Sequence, residues 1–128
     1  MPMNSYEQNR ILSASPVELV RILYTAAVCA VQNARESLSA GDISARSREI
    51  GTAQVILLEL ASSVDPSKGK EVGERLLALY DYMQGRLAEA NAEQKDGPLA
   101  EVSSLLGTLQ EAWLQCESPV EEPATAMR

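Results

Sequence analysis

Apolar residues recur along this chain at the three-and-four spacing of helices, not the strict alternation of half-buried strands. From residue 99 onward, Leu99, Val102, Leu106, Leu109, Trp113 and Cys116 form one seam that a single helix face can bury. A stripe of the same kind joins Val72, Leu76, Leu79, Met83, Leu87 and Ala90, with Tyr80 at its edge. Another joins Ile43, Ile50, Leu57, Ala61 and Val64. Nearer the start, Val20, Tyr24, Ala27, Val31, Ala34 and Leu38 make the centre of a fourth stripe, flanked by Leu23 and Ala30.

Start and stop signals divide these stripes into four helices, expected over about residues 16–40, 42–64, 70–92 and 98–116. Ser15 is placed to cap the first, with Pro16 at the first helical position and Glu18 where a capping box wants a carboxylate. Gly41 suits the end of that helix, and Asp42 caps the next. Asp65-Pro66-Ser67 stops the second, because the residue before proline resists helical dihedrals. Asp96-Gly97-Pro98 reads as cap and first turn of the fourth. Short connections between long helices favour antiparallel neighbours, so the expectation is an all-α, antiparallel four-helix bundle over residues 1–116. Tyr6 to Leu12 is too short to hold a helix alone and is expected to lie on the bundle. The Pro- and Glu-containing tail, 117–128, is expected to be disordered.

Some apolar residues exceed what one face can bury. Val55-Ile56-Leu57-Leu58 is four in a row, and at about 100° per residue four consecutive positions point in every direction. Val55 and Ile56 therefore fall outside the main stripe, as do Leu77 and Tyr82 in the third helix and Ile22 and Cys29 in the first. Scattered exposed apolar residues are ordinary, and bundle geometry buries many. Ile22, Val55, Ile56 and Leu77 would be different if they met, since a large exposed patch marks a binding surface.

Composition narrows the classes. Phe is absent, with one Trp and four Tyr, while Leu, Ala, Glu, Gln and Arg favour helix over strand. Eleven basic against eighteen acidic residues give a net charge of −7, unsuited to nucleic acid or an anionic membrane. No apolar run approaches the roughly 20 residues that span a bilayer, and Met1 to Arg10 lacks the plan of a secretory signal, so a cytoplasmic protein is expected. The absence of histidine removes His-based acid–base chemistry and Glu-x-x-His metal pairs. Cys29 and Cys116 are too few for a zinc site or a disulfide framework and read as packing residues. The carboxylates lie on water-facing helix surfaces or at helix ends, so neither an enzyme nor a metal or cofactor is expected.

The order of motifs resembles the flagellin-specific export chaperones of bacterial flagellar assembly, the FliS family. The resemblance runs through Tyr6-Glu7-Gln8-Asn9, Ser13-Ala14-Ser15-Pro16, Glu18-Leu19-Val20 and Leu23-Tyr24, then Ala53-Gln54-Val55-Ile56 with Glu59-Leu60. Its most specific stretch is Leu79-Tyr80-Asp81-Tyr82-Met83, followed by Arg86-Leu87, Ala90-Asn91 and Ala112-Trp113. Thr25 and Ala26 depart from the acidic or amide residue and glycine that often follow Leu-Tyr in the family. The resemblance implies a bundle without catalysis. It would bind the C-terminal helical segment of flagellin, prevent premature polymerisation and deliver it to the flagellar type III export gate. It also implies a groove that the N-terminal segment covers, with Tyr6, Gln8 and Leu12 as the groove cap and export-gate docking residues. The flagellin-binding surface would then include Ile22, Val55, Ile56, Leu77 and Tyr82 on a monomer forming a one-to-one complex. The alternative reading is a regulatory adaptor that sequesters a flagellar regulator such as an anti-sigma factor.

Overall fold

The computed structural model describes residues 15–65, 67 and 69–117. Among these residues are four helices: α1, Pro16–Ser39; α2, Ile43–Ser62; α3, Lys70–Glu93; and α4, Asp96–Glu117. Local signals set their ends. The Ser15 hydroxyl accepts from the Glu18 backbone N–H at 3.1 Å, with Pro16 following. Gly41 takes φ of 74°, a left-handed conformation that glycine adopts without cost, and lets the chain reverse. Asp42 then accepts from the Ala45 N–H at 3.1 Å and starts α2. Asp96 is the exception among the expected caps: its carboxylate faces α1 and binds Arg35.

Cross-helix bonds fix the topology. Arg35 late in α1 meets Asp96 at the start of α4, and Thr25 early in α1 meets Gln110 late in α4. Arg46 early in α2 meets Asn91 late in α3, and Gln54 further on meets Gln84. Both pairs are therefore antiparallel, and α1–α2 and α3–α4 also pack together, closing a four-membered ring. The end where α1 and α3 begin is called the lower end below.

The core contains Tyr24, Ala27, Val31 and Ala34 of α1, and Ile50, Ala53, Leu57 and Leu60 of α2. Met83, Leu87 and Ala90 of α3 and Leu99, Val102 and Leu106 of α4 complete it. These are mostly the stripe centres, with small alanines on α1 allowing close approach to α2. Five positions depart from the pattern. Tyr80, expected at the stripe edge, is buried, because its hydroxyl crosses the ring diagonal to Tyr24 at 2.6 Å. Ile43 and Val72 lie on core stripes yet are 56% and 63% exposed, since each sits in a first helical turn that projects past the packed layers. Ile56, expected off the stripe, is half-buried against the core. Cys29, expected to pack, is exposed on α1.

Among the described residues one charged side chain is buried. Arg46 is 5% exposed, with its Nε donating to Asn91 Oδ1 at 3.2 Å and an Nη donating to the Asn91 carbonyl at 3.4 Å. That carbonyl belongs to the last turn of α3, where the helix dipole concentrates negative partial charge. Among the described residues one helix, Pro16–Ser39, is long and apolar enough to span a bilayer by length and composition, an apolar run the sequence reading did not anticipate. Here its apolar face is packed on α2 and α4.

Candidate functional site

Among the described residues the lower end of the bundle is uncovered. A cavity of about 410 Å³ lies there, walled chiefly by Val20 and Tyr24 of α1, Leu76 and Tyr80 of α3, and Leu109 and Trp113 of α4. Its walls are mostly apolar, and Val72 borders it from the first turn of α3. A second cavity of about 280 Å³ runs between α1 and α2 from Pro16 to Leu23, and Trp113 separates the two. Trp113, expected in the core, stands half-buried at its lower edge. Its Nε1–H is buried and has no acceptor among the described residues. A buried donor without a partner is costly, so this indole is a local weakness of the fold.

At the floor of the larger cavity the two tyrosine hydroxyls share one hydrogen bond, one donating and the other accepting. Burial, reinforced for Tyr24 by the hydrogen bond to Tyr80, pushes the Tyr24 phenol far above its ordinary range, and burial also raises Tyr80. Both stay neutral at any physiological pH, so the pair is a fixed strut, not a titrating one.

A second apolar feature is the outer face of α2. Val55 is 59% exposed and Leu58 63% exposed, and among the described residues no element covers either. Gln54 and Arg46 mark the side of α2 that meets α3. Leu58 lies on the α3 side of the outer face, Val55 on its crest, and Ile56 turns toward α1.

The five sequence-derived surface residues do not form one patch. Val55 is exposed as expected, whereas Ile56 packs inward. Ile22 is half-buried on α1, and Leu77 is half-buried on the side of α3 that carries Gln84 toward α2. Tyr82 is 47% exposed on the opposite side of α3, where its hydroxyl donates to Glu101 of α4 at 2.8 Å. Arg86 Nε binds the other oxygen of Glu101 at 2.6 Å and its Nη binds Glu89 at 2.7 Å, so Tyr82 belongs to a polar network between α3 and α4. The hydroxyl of Tyr82 and then the Arg86 guanidinium hold the Glu101 carboxyl below its ordinary range. Tyr6, Gln8 and Leu12 lie outside the described residues.

Sequence reasoning missed Leu58 and the lower-end cavity. Leu58 carried the right signal, being one step round the helix from core Leu57 and within the four-residue apolar run. The cavity carried none, because its walls are the stripe residues themselves. Among the described residues no group of three His, Cys, Asp or Glu side chains is arranged to hold a metal ion.

Comparison with known proteins bears on this architecture directly. The family model described as Flagellar protein FliS matches residues 1–119. The chain belongs to the FliS family. The Flagellar secretion chaperone FliS of Salmonella typhimurium is 36% identical over 109 residues, covering 84% of this chain and 81% of that protein. Its Bacillus subtilis counterpart is 31% identical over 114 residues, covering 89% and 84% respectively. The FliS of Escherichia coli is 29% identical over 122 residues, covering 91% and 88%. Within Leu79 to Met83 the structure separates two tyrosines: Tyr80 is a core strut and Tyr82 a surface group.

Proposed function

We propose that this protein is a cytoplasmic flagellar export chaperone that binds the C-terminal helical segment of flagellin, keeps it from polymerising and delivers it to the type III export gate. The observation that carries this reading is apolar surface beyond what the bundle consumes: Val55 and Leu58 outside α2, and the lower end, both uncovered among the described residues. Partner helices laid on such surfaces recover about 1.5–3 kcal/mol per fully covered large apolar side chain. Ordering a flexible segment costs a few kcal/mol, so several contacts are needed before binding is net favourable. No step of this function requires bond chemistry.

Ser15, the first described residue, directly precedes Pro16 and Val17 at the wall of the smaller cavity. In this reading Tyr6, Gln8 and Leu12 lie over the lower end in the empty chaperone, limit exposure of its apolar walls, and take part in docking at the export gate. Flagellin displaces them. Hydrogen exchange tests this: residues 6–12 should exchange faster in the complex, and equal protection in both states would remove the cap.

The function itself is tested by mixing the purified protein with flagellin and reading size-exclusion chromatography and calorimetry. A one-to-one complex is expected. Replacing Val55→Ser and Leu58→Ser together should weaken it with little effect on folding, because both side chains already face water. Failure of the unaltered protein to form any complex would sink the reading.

A further inference from the structure

Glycine is a poor choice inside a helix, because it loses the most backbone freedom on folding. Gly51 of α2, Gly85 of α3 and Gly107 of α4 nevertheless occupy helix interiors with nothing within 4 Å of the place a Cβ would take. Each has ordinary negative φ. The fold has room for alanine at all three.

Gly51 differs from the others in its neighbours. Val55 and Leu58 follow it at four and seven residues, so the three share one outward stripe. That stripe holds two of the most exposed large apolar side chains among the described residues, at 59% and 63%. A missing Cβ beside an exposed apolar stripe is a notch, and small residues are what let a second helix approach closely. The bordering charge is mainly acidic. Glu59 on α2 and Glu74 and Asp81 on the outer side of α3 are exposed and form no ion pair among the described residues; Arg48 stands likewise at the other end.

We infer that Gly51 is the point of closest approach for an amphipathic partner helix lying along α2 across Val55 and Leu58, with basic residues over Glu59 and Asp81. This rests on the chaperone reading above, and the helix is then part of the flagellin segment. The glycine is retained for the complex at the expense of the free chaperone. Flanking acids make the approach salt-sensitive, since exposed charges are screened within about 10 Å at 0.1 M salt.

Gly51→Ala and, as a control remote from the stripe, Gly107→Ala are compared with the unaltered protein by thermal unfolding and by calorimetric titration with purified flagellin. Both variants should raise Tm by about 2–5 °C. Only Gly51→Ala should weaken flagellin binding, by about tenfold. Unchanged affinity in Gly51→Ala overturns the inference while leaving the chaperone reading intact. So does an equal loss in Gly107→Ala, or a Tm that falls in Gly51→Ala. Absence of flagellin binding by the unaltered protein overturns both.

Discussion

The hydroxyls of Tyr24 and Tyr80 offer a measurement of how the core is closed. They lie 2.6 Å apart, on helices diagonal across the ring, with both residues less than 5% exposed. Replacing either tyrosine with phenylalanine removes one hydroxyl and leaves the other buried without its partner. The expected cost of each single change is about 1–3 kcal/mol, the desolvation of an orphaned hydroxyl plus the lost bond. The double change removes both polar groups and replaces them with well-matched apolar rings, so its cost should fall to about 0.5–1.5 kcal/mol. The two substitutions are therefore strongly non-additive, with a coupling of about 1 kcal/mol or more. For a chain of 128 residues each kcal/mol moves Tm by about 3–6 °C. Urea unfolding followed by circular dichroism at fixed m-value gives all four corners of the cycle. Single variants that cost nothing and a double variant that equals their sum would refute the reasoning. That result would mean the hydroxyls reach water through the cavity they line.

Three further outcomes are expected. Leu106→Ala, at a fully buried α4 position, should cost about 2–5 kcal/mol in urea unfolding without changing the helical spectrum of the native state. Acid should destabilise the bundle in a specific way. Hydrogen bonding from Arg35 holds Asp96 below its ordinary range, as Tyr82 and Arg86 do for Glu101. Depressed folded values stabilise above the unfolded carboxylate range of about pH 4 and lose that contribution as pH falls through the folded values. Asp96→Asn should therefore flatten the acid limb of a stability–pH curve, and an unchanged limb would show the pair contributes nothing. Val55→Ser with Leu58→Ser should leave Tm nearly unchanged and lower flagellin affinity, whereas Ile56→Ser should lower Tm, because only Ile56 packs against the core.

The helices and their caps were legible in the sequence because they are local: Ser15-Pro16, Gly41-Asp42 and the three-and-four stripes act within a few residues. The α4 stripe from Leu99 to Leu106 was buried as its spacing implied. What periodicity could not tell was where along its length a stripe runs out of neighbours. Ile43 and Val72 obey the period and are still exposed, since burial also depends on how far adjacent helices extend. Nor could it tell on which side an off-stripe residue falls. Ile56 and Leu58 flank Leu57 equally in sequence, yet one packs against the core and the other faces outward, a distinction set only when the ring closes. The diagonal contact of Tyr24 with Tyr80, 56 residues away, was equally out of reach.

The clasp of Arg46 on Asn91, and of Arg35 on Asp96, has a mechanical consequence. Both are directional, and both grip the end away from the cavity, holding the rods in step. Toward the opposite end the directional ties are the Tyr24–Tyr80 strut and the Gln110–Thr25 bond, and the rest is oily contact with no preferred direction. The rods are thus keyed to their neighbours at one tip by charge-assisted bonds and tied across the diagonal by a neutral one.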